Sequence, residues 1–65
     1  MKVGFIGLGN VGGKLAASLL RNGFDLSVLD LDEAAARPLL DGGARFGESP
    51  RRMAAAVDLL VTCLP

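Results

Sequence analysis

Three glycines, Gly7, Gly9 and Gly12, stand in the spacing G-x-G-x-x-G within GLGNVG, directly behind the short apolar run of Val3, Phe5 and Ile6. The run has the pattern of a strand over Lys2 to Ile6 buried on both faces, and Gly7 stops it in a tight turn. From Val11 to Asn22 the apolar residues Val11, Leu15 and Leu19, with Ala16 and Leu20, recur at helical spacing, while Lys14, Ser18 and Arg21 take the other face. Gly23 is placed to cap that helix at its C-terminus. A strand, a glycine turn and an amphipathic helix in direct succession commit the chain to an α/β arrangement in which the helix folds back over the strand.

The remaining residues repeat the alternation. Leu26 to Leu29 reads as a second strand between Asp25 and Asp30. A second helix is expected from Asp32, its N-cap, towards Leu40, with a kink or break at Pro38, which lacks the N–H that its turn would use. Ala44 to Phe46 reads as a short third strand. Ser49 followed by Pro50 has the form of an N-cap and a first helical residue, so a helix is expected from Pro50 to about Ala56. Val57 to Leu64 follows as a strongly apolar fourth strand. Right-handed crossovers between parallel strands then give a sheet in spatial order 3-2-1-4, with the first two helices on one face and the third on the other. At 65 residues there is room for one modest core, since a chain this short buries only about 60% of its unfolded surface. The apolar strand ending near Pro65 has no helix after it to cover it, and the chain reads as the first half of a larger domain, incompletely covered around Leu59, Leu60 and Val61.

The glycine spacing has a chemical meaning in this context. Gly7 permits the turn, Gly9 leaves space for a pyrophosphate to approach the backbone, and Gly12 lets the helix lie close to the strand. Free amides at the start of the helix, near Asn10 and Val11, offer donors and the positive end of the helix dipole to phosphate. The candidate dinucleotide-binding set is therefore Gly7, Leu8, Gly9, Asn10, Val11 and Gly12. The plainer alternative is a glycine-rich turn that only packs. A mononucleotide P-loop fails on register, because Leu8 stands where it needs glycine and Leu15 where it needs Ser or Thr.

Asp30 ends the second strand, 18 residues after Gly12, where the dinucleotide-binding arrangement brings an acid beside the adenosine ribose. Its carboxylate can accept from the ribose hydroxyls of NAD. The 2′-phosphate of NADP would meet a like charge there, and the neighbouring Leu31 supplies no compensating guanidinium, so NAD is the expected cofactor over NADP. The alternative role for Asp30 is a cap on the following helix.

Charge and composition exclude other classes. Seven Lys and Arg balance seven Asp and Glu, leaving no net basic field to gather nucleic acid or anionic lipid. The glycines break up the N-terminal apolar stretch, so no secretory leader is read, and no apolar run approaches the roughly 20 residues of a membrane span. There is no His, and Cys63 is the single cysteine, which removes a Cys/His metal cluster and an intrachain disulfide and fits a cytoplasmic protein.

GFIGLGNVGGKLAASLL, VLDLD and the closing DLLVTCLP together resemble the N-terminal segment of the beta-hydroxyacid dehydrogenases, the group containing 3-hydroxyisobutyrate and 6-phosphogluconate dehydrogenases. The resemblance spans the whole chain. It is strong at the glycine turn, usually GLGxMG in that family, where Val11 replaces the common Met. It implies a Rossmann-type domain and an NAD-dependent oxidoreductase acting on a small 3-hydroxy acid. It also implies that Leu64 and Pro65 lie near the nicotinamide half. NADP-using relatives commonly carry an Asn-Arg pair where this chain has Asp30 and Leu31, which agrees with the electrostatic reading. The family's substrate-binding glycine motif and catalytic lysine match no residue here, so the 65-residue piece is expected to bind without catalysing and, with an uncovered apolar surface, to form a homo-oligomer. Lys2 begins the first strand, away from the cofactor end, Cys63 reads as packing, and Arg51 and Arg52 read as solvated surface. Two other classes share the turn: the nucleotide-sensing modules of potassium transport systems, and the nucleotide-sugar dehydrogenases.

Overall fold

A computed structural model describes residues 1–63 of the chain. β1 (Lys2–Ile6), α1 (Asn10–Arg21), β2 (Asp25–Leu29), α2 (Glu33–Asp41), β3 (Arg45–Phe46), α3 (Pro50–Ala56) and β4 (Leu59–Thr62) follow one another in strict alternation. All strand pairs are parallel and the sheet order is β3-β2-β1-β4, as expected. In register, Val3 lies beside Leu26 and Leu59, and Phe5 beside Val28 and Val61, so these side chains share one face of the sheet.

That face carries the core. Val3, Phe5, Leu26 and Val28 are all but completely buried, and Ala16 of α1 with Ala36 and Leu39 of α2 close over them. On the opposite face β1 presents Gly4, and Met53 of α3 fills the space. A Cβ on Gly4 would come within 2.6 Å of Met53 Cγ and 2.7 Å of its Sδ, and one on Gly47 within 2.6 Å of its Cε. The two glycines thus form the seat for the one buried residue of α3.

Helix starts follow the expected chemistry. Asp32 caps α2 by accepting from the Ala34 N–H at 3.0 Å, and Ser49 caps α3 by accepting from the Arg52 N–H at 3.1 Å. Gly23, just past the end of α1, takes a left-handed φ of 85°.

Three expectations are corrected. Of the kink or break expected at Pro38, the break does not occur, and α2 runs through to Asp41; Pro38 and Ala34 are both exposed, so the carbonyl that loses its partner at the proline lies on the solvent side of the helix. β4 covers Leu59–Thr62, starting two residues later than the expected Val57, and the Leu64 end of that expectation lies outside the described residues. Just ahead of the strand Asp58 is joined to Lys2 twice, its N–H donating to the Lys2 carbonyl and its carboxylate accepting from the Lys2 N–H, both at 2.8 Å. In α1 the expected apolar face holds at Ala16, Leu19 and Leu20, which pack on the core, but not at Val11 and Leu15. Val11 is 66% and Leu15 52% exposed, while Gly12 and Ala16 face the sheet. Small residues let the helix axis come close to the strands, which rolls the larger neighbours outward.

Candidate functional site

The first link in the site is the end of β1. Gly7 has φ 90°, a conformation that side chains rarely adopt, and its N–H donates to the Leu29 carbonyl at 3.0 Å, carrying the β1–β2 ladder one residue past the strand. Leu8 then drops its side chain into the core, only 4% exposed. Gly9 precedes α1, and Asn10 and Val11 open the helix. A Cβ on Gly9 would meet no heavy atom within 4 Å. At Gly12 it would overlap the Gly7 carbonyl oxygen and stand 3.3 Å from Cys63 Cβ. The two glycines therefore do different work: Gly12 is demanded by helix–strand contact, and Gly9 keeps a space open.

That space belongs to a cleft of about 800 Å³ at the C-terminal ends of the strands, lined by Gly7, Gly9, Val11 and Gly12 on one side and by Asp30 and Leu31 on the other. The cleft lies between β1 and β2 on one flank and α3 on the other, the crevice position where ligands bind in open α/β sheets. Exposed Val11 and Leu31 make apolar walls.

Asp30 is held in place by backbone amides. The Leu8 N–H donates to Oδ2 at 2.6 Å and the Asp32 N–H donates to Oδ1 at 2.8 Å. The amides of Asp32 and then Leu8 hold its carboxyl below the ordinary carboxylate value, against an opposing effect of burial that exceeds only the small further contribution of the Leu31 amide. Asp30 is not the cap of α2, since the side chain of Asp32 fills that role.

The sequence marks Ser49 and Pro50 only as a helix start and does not connect them, or Glu48, Ile6 and Leu29, with the site, yet all five line the cleft. Their only sequence signal for the cleft is position: each lies at or just beyond a strand's C-terminal end. Cys63 also lines the cleft, packed against the Gly12 backbone. Glu48 is ion-paired with Arg52 at 3.5 Å. Lys2 and Lys14 lie outside the cleft and are exposed. Leu64 and Pro65 lie outside the described residues. Among the described residues no helix is long and apolar enough to cross a membrane.

A strand, a glycine turn with an open second glycine, a helix and an acid at the end of the next strand define the NAD(P)-binding class of α/β domains. Residues 2–65 match the family described as the NAD binding domain of 6-phosphogluconate dehydrogenase, and the chain belongs to that family. It is similar to a probable 3-hydroxyisobutyrate dehydrogenase, mitochondrial, of Dictyostelium discoideum, at 43% identity over 97% of the chain and 20% of the relative. It is 40% identical to the 2-(hydroxymethyl)glutarate dehydrogenase of Eubacterium barkeri over the whole chain and 22% of that enzyme. Among solved structures it is similar to a reductive aminase from Aspergillus terreus in complex with NADPH4, cyclohexanone and allyl amine, with TM-score 0.87 and 33% identity. A variant imine reductase from Myxococcus stipitatus in complex with NAD+ superposes with TM-score 0.91 at 25% identity. Each structural match covers 97% of this chain and 22% of the other. The chain spans about a fifth of the length of the curated relatives it matches. The parent family is enzymatic, composed of dehydrogenases and reductases, and NAD(P) is its cofactor.

Proposed function

We propose that residues 1–65 form the N-terminal part of a dinucleotide-binding domain that holds NAD in preference to NADP, within an oxidoreductase acting on a small 3-hydroxy acid. The observation that carries this reading is the continuous cleft from the open face of Gly9 to the carboxylate of Asp30. In it the amides at the start of α1, at Asn10 and Val11, receive the pyrophosphate at the positive end of the helix, while Gly7, Leu8 and Gly12 shape the turn, the amides of Gly7 and Leu8 being taken by the Leu29 carbonyl and the Asp30 carboxylate. Asp30 accepts from the adenosine ribose hydroxyls, and Leu31 provides apolar surface beside it. Leu64 and Pro65 are assigned to the nicotinamide half on the family resemblance alone. Both oxygens of Asp30 already accept one amide each, and each keeps lone-pair capacity for a hydroxyl donor. A 2′-phosphate offers no donor and meets a carboxylate that the two amides keep from swinging away. Glu48 across the cleft adds a second acid.

The dinucleotide supplies hydride transfer when bound; the residues present here bind and orient it. With no His and no Tyr in the sequence, and with Lys2 and Lys14 outside the cleft, proton transfer belongs to residues beyond these 65. The related dehydrogenases support a hydroxy-acid substrate for the parent. A single cysteine fits a reducing compartment such as the cytoplasm. Calorimetric titration of the chain with NAD and with NADP tests the reading. Tighter binding of NAD is expected, and the absence of binding by either, or a preference for NADP, overturns it.

A further inference from the structure

The carboxylate of Asp30 connects two segments that are far apart in sequence. It is 22 residues from Leu8, whose N–H it receives at 2.6 Å, and on its other oxygen it receives the N–H of Asp32 at 2.8 Å. The bond from Gly7 N–H to the Leu29 carbonyl is the last backbone rung between β1 and β2; the bond from Leu8 to Asp30 is the next rung, made by a side chain. Asp32 in turn caps α2 through the Ala34 N–H. One carboxylate thus ties the glycine turn to the start of the second helix, while the buried Leu8 side chain fixes the same residue from below.

We propose that Asp30 is a positioning residue for the glycine turn as well as an acceptor for the ribose: by latching the Leu8 amide it holds the turn in the geometry in which its amides meet the pyrophosphate. The inference rests on the reading of the cleft as a dinucleotide site and deepens it, because phosphate affinity then depends on a side chain that faces the ribose. Short charge-assisted bonds from amides to a carboxylate are about twice as strong as neutral ones. The amides of Asp32 and Leu8 also keep Asp30 charged below the ordinary carboxylate range. A group whose pKa is lowered on folding contributes above its unfolded value and loses that contribution as pH falls through the folded value. The latch therefore holds at neutral pH and opens only in acid. Asp32, Glu48 and Cys63 are the other titratable groups around it.

A ribose-only role and a latch role predict opposite results for NADP. Asp30→Asn keeps the shape, but its amide can accept from only one of the two N–H groups and turns its own NH₂ towards the other. If Asp30 served the ribose alone, removing the charge would weaken NAD and strengthen NADP. With the latch, NAD affinity falls roughly tenfold or more and NADP affinity does not rise, because the turn that both cofactors need has loosened. In the same variant, without cofactor, exchange of the Leu8 amide measured by NMR is expected to accelerate roughly tenfold while Val3, Phe5 and Val28 keep theirs. A measurement on the unsubstituted chain needs no variant to fold: the Leu8 and Asp32 amide resonances should titrate together with a midpoint below 3.8. Separate titrations, an unchanged Leu8 exchange rate, or a rise in NADP affinity overturn the latch. If the unsubstituted chain binds neither cofactor, the dinucleotide reading fails, and the amide titration still decides whether Asp30 holds the turn.

Discussion

The half of the molecule that lines the glycine turn and the half that follows α2 are built differently. β1 and β2 pair over five residues, and their inward side chains Val3, Phe5, Leu26 and Val28 are at most 1% exposed. α1, twelve residues long, lies against them through Gly12 and Ala16. In the second half, β3 has two residues, α3 has seven with Met53 as its one buried residue, and β4 leaves Leu59 48% and Leu60 38% exposed. The difference shows where rigidity is concentrated. The turn that would receive phosphate is anchored by a complete two-strand ladder and a close helix, whereas the wall formed by α3 depends on one flexible side chain seated over Gly4 and Gly47.

The comparison breaks most decisively in the core. Phe5→Ala is expected to cost about 4 kcal/mol, and Met53→Ala about 2 kcal/mol, near the lower end for a buried methionine because α3 has open surface into which it can settle. Urea unfolding of the two variants measures both values; equal losses would show that the two halves are equally well packed. Next in size is the contrast between two glycines of the same turn. Gly12→Ala forces a methyl against the Gly7 carbonyl and should cost about 2 kcal/mol as well as cofactor affinity. Gly9→Val, with open space around its Cβ, should change stability by no more than about 0.5 kcal/mol yet lose most NAD affinity. Thermal unfolding together with calorimetry separates the two, and a stability loss at Gly9 would mean that its space is structural.

Smaller effects sharpen the picture on the α3 side. Ser49→Ala removes the hydrogen bond to the Arg52 N–H and should cost about 1 kcal/mol. Circular dichroism with urea titration would register it. Glu48→Gln breaks an ion pair whose side chains are both 75% exposed, and at most about 0.5 kcal/mol is expected from it. Its value lies in the cofactor: a narrowed gap between NAD and NADP in calorimetry would show that Glu48 acts on the 2′ position together with Asp30, and an unchanged gap would leave Asp30 alone in that role.

Much of the architecture was legible in local patterns. The Ser49–Pro50 pair marks the start of α3, Asp32 marks the start of α2, and the turn glycines mark the junction of β1 and α1, because caps and tight turns are decided by a few adjacent residues. Strand order followed from the dinucleotide-type glycine fingerprint, and the faces taken by the helices from crossover handedness, a property of L-residues rather than of particular contacts. Helical periodicity, by contrast, placed Val11 and Leu15 on the buried face, and the structure turns them out. A periodic pattern shows that a helix has an apolar side, while its rotation is set by which residues are small enough to meet the sheet.

What the chain determined from its own order of residues is therefore the α/β alternation, the glycine turn and the acid at the end of β2. Only the tertiary structure decided that this acid reaches back 22 residues to the Leu8 amide, and that Glu48, Ser49 and Cys63 arrive at the same cleft. Met53 likewise finds its seat on Gly4 and Gly47 only once the sheet has formed. The physical reason is that capping and turns are satisfied within a few residues. A cleft exists only after the strands have been aligned, when the distance between two side chains depends on register and crossover rather than on their separation along the chain.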